Sequence, residues 1–171
     1  MTELARPDVR FRESWADAVI EFGNEVMHGS GLSGFEPLDV SEAGCAEVVA
    51  HLLSRGDTSV RLPEGIVHSN HYWIVDGAGF VGYLALRHAL TAFLLDEGGH
   101  IGFSVRPSRR REGHATRALA LALPRADALG LDRVLVTCDE DNEGSRRAIE
   151  HNGGVYDDTR KGKRRYWIAV G

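Results

Sequence analysis

The segment between residues 100 and 129 constrains the fold more than any other part of the sequence. A short run rich in β-branched and aromatic residues, about His100 to Val105, predicts a strand that ends before Pro107, because proline cannot continue a central ladder. Three consecutive arginines and Gly113 follow. An alanine- and leucine-rich stretch then predicts a helix from about His114 to Leu129. The strand therefore leads through an arginine-rich loop directly into the first turn of a helix.

The flanking segments predict a mixed sheet. Apolar residues at three- and four-residue spacing predict helices over Phe11 to Met27 and Ser41 to Gly56, so that the first third of the chain is expected to be helical. Two aromatic and β-branched runs, His71 to Asp76 and Phe80 to Leu86, predict a hairpin. The remaining predicted elements are a strand at Arg133 to Cys138, a helix at Asn142 to His151, and a strand pair near Val155 and at Tyr166 to Val170. We expect an α/β fold with a mixed, mostly antiparallel twisted sheet and helices on both faces.

Length and composition narrow the class of protein. A chain of 171 residues with 43% hydrophobic residues predicts one domain over residues 1–171 with a sizeable core. The net charge of −5 disfavours a general binder of nucleic acid or anionic membranes. The charged opening, Met1 to Arg12, does not resemble a secretory signal, and no run reaches the ~20 apolar residues of a membrane span. We therefore expect a cytoplasmic protein in which Cys45 and Cys138 are reduced, buried and not metal ligands.

The loop and helix start between residues 110 and 116 have the chemistry of a phosphate site. The first turn of a helix has backbone N–H groups without partners and a partial positive charge, which attract anions. Gly113 lets a ligand oxygen approach the backbone closely, and the small Ala115 keeps that approach open. Arg110 and Arg111 add charge-assisted donors. A diphosphate is the expected ligand.

The order Val-x-Pro-x-x-Arg-x-x-Gly-x-Ala, which begins at Val105, places an arginine at 110, a glycine at 113 and an alanine at 115. Between a strand and a helix it resembles the acyl-coenzyme A signature of the GCN5-related N-acetyltransferase (GNAT) superfamily. Asn142 and Ser145 match the Asn-x-x-Ser opening of the helix that borders the coenzyme in this family. The resemblance covers about residues 70 to 170 in element order.

This resemblance implies that the central strands splay apart and that coenzyme A lies between them. The protein would then be an enzyme, an N-acetyltransferase that uses acetyl-CoA as co-substrate and acts by direct attack of a primary amine. The acceptor would be a small-molecule or peptide amine, no metal would be needed, and a homodimer is left open. The coenzyme-binding residues that it implies are Phe103, Val105, Arg110, Arg111, Gly113, His114, Ala115, Thr116, Asn142 and Ser145.

The attacking amine must be neutral, so the enzyme needs a base. His100 stands five residues before Val105, where many GNAT relatives carry a glutamate, and Glu97 lies close by in the sequence. Either is a candidate base. The tyrosine that protonates the departing thiolate in many relatives is replaced by Ile149, which has no proton to give. The candidates for that role are Tyr166, Tyr156, Ser145 and solvent.

Two other functions are compatible with single features of the sequence. Because of Ile149, the chain could be an acyl-CoA sensor that binds the coenzyme without turnover. Gly77, Gly79 and Gly82 form a literal Gly-x-Gly-x-x-Gly after a predicted strand, which is a weak signal for a dinucleotide-binding βαβ unit. The residues that follow, Phe80 to Leu86, predict a returning strand of a hairpin and not a helix. A zinc site is disfavoured, since the histidine pair in His68-x-x-His71 has no nearby acidic or cysteine partners.

Overall fold

The computed structural model describes all 171 residues and contains one open sheet of seven strands with helices packed on it. The strands are β1 (Thr2–Ala5), β2 (Ser69–Asp76), β3 (Gly79–Arg87), β4 (Ile101–Val105), β5 (Arg133–Asp139), β6 (Val155–Arg160) and β7 (Lys163–Ala169). The helices are α1 (Arg12–Phe22), α2 (Glu42–Arg55), α3 (His114–Ala128) and α4 (Glu143–His151). The spatial order is β1-β2-β3-β4-β5-β7-β6. Every neighbouring pair is antiparallel except β4 and β5, which are parallel.

The helices cover both faces of the sheet, each over its own apolar cluster. On one face α1 and α2 enclose a cluster that includes Trp15 and Trp73, whose rings stack with centroids 5.9 Å apart. On the other face α3 and α4 pack over a second cluster that includes Leu119 and Ile149. Burial of both clusters fixes which side of each strand faces which helix pair. The predicted fold class is confirmed.

Local signals explain where the helices begin and end. Ser41 caps α2, since its hydroxyl accepts a hydrogen bond from the Gly44 N–H at 3.1 Å. Helix α1 ends at Phe22 because Gly23 takes a positive φ of 55°. The predicted extension of this helix to Met27 is therefore wrong. Helix α3 continues through Pro124 to Ala128.

The first residues of the chain form a strand that was not predicted from the sequence. Strand β1 pairs antiparallel with β2, with Thr2 opposite Asp76. Its side chains alternate, because Thr2 and Leu4 are buried while Glu3 is exposed. The prediction of a purely helical first third is therefore incomplete. A short π-helical turn over Leu94–Gly98, directly before β4, was also not predicted.

The pairing of β2 with β3 shows whether the glycine-rich turn belongs to a hairpin or to a dinucleotide-binding unit. A dinucleotide-binding unit requires a helix after the glycines and a parallel second strand. Instead, β3 begins at Gly79 and pairs antiparallel with β2, with Gly79 opposite Asp76. The hairpin is confirmed, and the interpretation of Gly77, Gly79 and Gly82 as a dinucleotide-binding motif is wrong.

No helix of the structure is both long and apolar enough to cross a membrane.

Candidate active site

Strands β4 and β5 are joined at one end only. Ile101 opposite Val136 is the single register pair between them. Next to that pair, the His100 N–H donates to the Leu135 carbonyl at 2.7 Å, and the Thr137 hydroxyl donates to the Glu97 carbonyl at 2.6 Å. Beyond it the two strands diverge, so the middle of the sheet has an open cleft.

A cavity of about 1140 Å³ occupies this cleft and extends over the neighbouring helix ends. Its walls are residues 102–105 of β4, residues 137–139 of β5, the first turns of α3 and α4, and part of the loop between α1 and α2. This volume exceeds the range of about 300–1,000 Å³ that is usual for small-ligand sites, so an extended ligand fits. The gap between the strands thus forms one continuous site.

The backbone of Val105 faces the cleft. Arg106 donates its N–H to the Val81 carbonyl on β3 at 2.8 Å. In an antiparallel pair, consecutive residues point their amides to opposite sides, so Val105 points away from β3. The Val105 carbonyl accepts a hydrogen bond from Arg110 Nε at 3.0 Å and not from β3. By the same alternation the backbone of Phe103 faces the cleft, which leaves this edge of β4 open to an extended ligand.

The first turn of α3 opens into the same cavity with unpartnered amides. Gly113 precedes the helix in the left-handed region at φ 85°, and no side chain caps the helix. The backbone N–H groups of residues 113–116 have no acceptor within the protein. Four consecutive amides without partners at one helix start, together with the helix dipole, form an anion site. This arrangement fits the diphosphate that the sequence predicted.

The three consecutive arginines have different surroundings. Arg109 is held by Asp76 at 2.9 Å and Glu112 at 2.8 Å. Arg110 forms an ion pair with Glu25 at 2.7 Å. Arg111 has no carboxylate partner, although it lines the cavity. Arg111 is therefore the arginine of this loop that is best placed to meet a ligand anion without breaking an existing ion pair.

The first turn of α4 is capped from within. Asn142 Oδ1 accepts a hydrogen bond from the Ser145 N–H at 3.1 Å, which is the usual arrangement of an asparagine N-cap. Both residues also line the cavity. In contrast, the imidazole of His114 is buried and bonded to Thr2 and Glu112, so only its backbone is available to a ligand.

The structure brings every predicted coenzyme residue to this one cavity, and Glu97 with them. These residues are Phe103, Val105, Arg110, Arg111, Gly113, His114, Ala115, Thr116, Asn142 and Ser145. His100 is not among the lining residues.

The surroundings of His100 do not suit a base. Its side chain is 6% exposed, and Nδ1 accepts the Leu135 N–H at 2.9 Å, so Nε2 must carry the ring proton of the neutral form. Burial, with a smaller effect of the Arg87 charge, lowers the pKa of His100 to about 4. Neither nitrogen can accept a proton without loss of the bond to β5. His100 therefore holds β4 against β5.

Among the lining residues that the sequence did not predict are four with side chains that can act in chemistry or binding: His28, Arg87, Cys138 and Lys163. Cys138 ends a predicted strand, and its position could have been read from the splayed-strand resemblance. His28 lies in a glycine-rich loop without periodicity, so no local pattern marks it. In the structure, no group of three or more His, Cys, Asp or Glu side chains is arranged to hold a metal ion.

Comparisons with known proteins agree with this geometry. Residues 12–155 match the family model described as the acetyltransferase (GNAT) domain. A curated relative, the "Uncharacterized N-acetyltransferase YjdG" of Bacillus subtilis (strain 168), is 31% identical over 111 residues, which are 61% of this chain and 57% of that protein.

Two solved structures show the same fold at low identity. RimJ of Mycobacterium smegmatis, in complex with CoA-disulfide, has a TM-score of 0.70 and 18% identity over 99% of this chain and 82% of its own. An acetyltransferase of Salmonella typhimurium, which modifies the N-terminal serine of ribosomal protein L7/L12, has a TM-score of 0.65 and 13% identity over 99% of this chain and 95% of its own. From the family match over residues 12–155, the chain belongs to the GNAT acetyltransferase family.

Proposed function

We propose that this protein is an N-acetyltransferase that transfers the acetyl group of acetyl-CoA to a primary amine by direct attack. One observation carries the proposal: β4 and β5 diverge after Ile101, next to the unpartnered amides at the start of α3. The open strand edge and the anion site are parts of the same cavity. A ligand with an extended arm and a diphosphate needs both at once.

The amides of residues 113–116, with Arg111 beside them, would hold the diphosphate. The cleft edge of β4 would pair with the amide-containing arm, as one strand pairs with another. The bound coenzyme supplies a thioester carbonyl on which negative charge grows during attack. The Val105 N–H faces the cleft and is the donor that we assign to this charge.

The candidates for the general acid differ in whether they line the cavity. Ile149 is fully buried in the core. The hydroxyl of Tyr166 is held by Arg164 and Glu150, and that of Tyr156 contacts Thr159; neither tyrosine lines the cavity. Ser145 lines it. Since a thiol with an ordinary pKa near ~8.5 leaves readily as the thiolate, Ser145 or solvent is sufficient for this step.

The acceptor class that we favour is the amine of a peptide or protein. This choice is supported by neighbours of the same fold, whose names describe acetylation of a ribosomal protein at its N-terminal serine. It narrows the acceptor class, which the sequence left open between small-molecule and peptide amines.

The experiment combines calorimetry with a thiol-release assay. We expect acetyl-CoA to bind with measurable heat, and free thiol to appear when peptide amines are added. Binding without thiol release for any amine in a panel of peptides, polyamines and amino acids would favour the sensor instead. Absence of binding would reject both functions.

A further inference from the structure

We propose that the imidazole of His28, in the loop between α1 and α2, accepts the proton that the acceptor amine loses before it attacks the thioester. The inference rests on the proposed function and gives its proton acceptor. It replaces His100, whose acceptor nitrogen is occupied by Leu135.

The first support is that the loop is fastened to the cleft-lining strand. The Ser104 hydroxyl donates to the His28 carbonyl at 2.8 Å. The next residue, Gly29, takes a φ of 77° and lies so close to β4 that a Cβ there would overlap the Gly102 carbonyl. These contacts fix the His28 backbone beside residues 102–104, immediately before Val105. The loop position is therefore set by the same strand that borders the reaction site.

The second support is that the His28 ring is free. Six of the eight histidines use a ring nitrogen in a hydrogen bond: His51, His68, His71, His88, His100 and His114. His28 and His151 make no such bond. Of these two, only His28 lines the cavity. It is therefore the cavity histidine with a ring nitrogen available to a substrate proton or to a water.

The third support is the charge around the ring. Lys163 on β7, Asp139 on β5 and Arg87 on β3 all act on His28 electrostatically. Lys163 is ion-paired with Asp139, whereas Arg87 donates to the carbonyls of Gly98 and Gly99 and has no carboxylate partner. Glu97, on the turn before β4, lines the same cavity.

These surroundings keep the imidazole unprotonated. His28 is exposed to the cleft, but desolvation by the groups around it is the largest effect and lowers the pKa of its imidazole; Lys163 lowers this pKa further, and Asp139 opposes them. Because an ordinary histidine pKa is near ~6.5, a lowered pKa makes the neutral ring the predominant form at pH 7 and above. An imidazole that stays neutral beside the cleft is ready to accept a proton when the amine enters.

The proton balance follows directly. An acceptor that arrives as an ammonium ion gives one proton to a ring nitrogen of His28, and the neutral amine then forms the new C–N bond. The C–S bond breaks, the thiolate leaves with the electron pair, and the second nitrogen proton passes to it, directly or through water. His28 then returns its proton to solvent. The products are the amide, free coenzyme thiol and one proton.

Glu97 is the rival within the cavity. Its carboxylate lies 3.9 Å from Lys161 Nζ and is 27% exposed, so it already has a cationic partner. The ring nitrogens of His28, in contrast, form no hydrogen bond or ion pair within the protein. The two assignments make opposite predictions for paired substitutions, and this allows a direct test.

The experiment measures kcat/KM by thiol release with a peptide amine between pH 5.5 and 9.5. His28→Asn should lower kcat/KM at pH 7 by about 100-fold, the lower end of the usual contribution of a general base. The loss should shrink as pH rises toward the pKa of the amine, because solvent then deprotonates the acceptor. The Kd for acetyl-CoA should stay within about twofold. His151→Asn, an exposed histidine with a free ring outside the cavity, is the matched control and should behave as wild type.

A second variant keeps the test decisive if the asparagine protein folds poorly. His28→Ala should lose the same activity, and added imidazole should restore part of it. A wild-type pH profile in His28→Asn, with the loss found in Glu97→Gln instead, would overturn the role of His28 and leave the proposed function standing. A raised Kd for acetyl-CoA in His28→Asn would also overturn it. A wild-type protein that binds acetyl-CoA but acetylates no amine would reject both proposals.

Discussion

Leu135 donates its backbone N–H to Nδ1 of His100 at 2.9 Å, so a side chain takes the place of a ladder bond between β4 and β5. The His100 N–H returns a bond to the Leu135 carbonyl at 2.7 Å. Together they join the two parallel strands at the end where the cleft begins. The cleft therefore depends on a buried histidine that has a structural role.

The first prediction concerns this bond. His100→Ala leaves the buried Leu135 N–H without an acceptor and should lower the free energy of unfolding by about 2 kcal/mol. His100→Asn presents an amide oxygen near the same place and should lose less than half as much. Urea denaturation of both variants is the measurement. Equal losses in the two variants would mean that the hydrogen bond does not matter and only packing does.

The second prediction is a loss of stability in mild acid. Burial lowers the pKa of His100 and of His71 to about 4, with smaller effects of Arg87 on His100 and Arg55 on His71. The unfolded chain therefore binds more protons than the folded one between pH 6.5 and 4, and the free energy of unfolding falls as the pH falls through that window. The loss is at most about 3 kcal/mol per histidine, at about 1.4 kcal/mol per pKa unit.

Urea titrations at pH 7 and pH 4.5 measure this slope. His100→Asn, which lacks the titrating ring, should show a shallower pH dependence than wild type. Asp76 belongs to a separate window: hydrogen bonds from the chain amino terminus and Arg109 lower its pKa to about 2. Its contribution is lost only below about pH 4, where the unfolded carboxyl becomes protonated. If the free energy of unfolding of His100→Asn fell between pH 7 and pH 4.5 as steeply as that of wild type, the mild-acid loss could not be assigned to His100.

The third prediction tests the anion site at the start of α3. Gly113→Glu puts a carboxylate next to the unpartnered amides and should raise the Kd for acetyl-CoA at least about 100-fold, by repulsion and by occupation of the site. Calorimetry measures it.

Gly130→Glu is the matched control for this variant. Both glycines have a φ near 85° and open space around a Cβ, but Gly130 lies outside the cavity. Each substitution should cost roughly 1–2 kcal/mol of stability from the left-handed backbone. Only Gly113→Glu should lose affinity. Comparable affinity in both variants would place the diphosphate elsewhere.

The fourth prediction separates Arg111 from other surface arginines. Arg111 lines the cavity and has no carboxylate partner. Arg111→Ala should weaken acetyl-CoA binding about tenfold and flatten the dependence of Kd on salt, because one charge-assisted contact is lost. Arg61 is exposed, lies outside the cavity and serves as control. An equal effect of Arg61→Ala would show only a general charge effect.

The parts of the fold that could be read from the sequence are those with local patterns. Helix α2 and the β2–β3 hairpin follow from periodicity, capping and turn residues within one short segment. Strand β1 was missed because four residues are too few for a period and its partner lies about 70 residues away. The anion site was readable because loop, glycine and helix start are consecutive.

The proton acceptor that we propose could not be predicted from the sequence in the same way. His100 stands where a strand side chain should reach the acceptor, but the neighbouring strand captures its ring, and only the packing of β4 on β5 decides this. His28 is about 75 residues from β4 in sequence and reaches the cleft because Ser104 and Gly102 hold its loop there. Long-range contacts of this kind leave no local pattern.

The last prediction uses the two cysteines as a matched pair. Cys138 lines the cavity and is 6% exposed, whereas Cys45, on α2, is fully buried. Burial raises the pKa of Cys138 to about 11, so its thiol is protonated at neutral pH. Iodoacetamide should modify it slowly at pH 7.5, and the rate should rise about tenfold per pH unit because only the thiolate reacts. Cys45 should stay unmodified throughout.

Acetyl-CoA has no free thiol and can therefore be used as a protecting ligand in this experiment. If the coenzyme occupies the cleft between β4 and β5, a saturating concentration should slow modification of Cys138 at least about fivefold, as followed by mass spectrometry of the intact chain. Gly113→Glu should lose this protection, because it removes coenzyme binding without touching β5. Equal modification rates with and without acetyl-CoA in the wild-type protein would mean that the coenzyme does not cover Cys138, and the cleft would have to be assigned to another ligand.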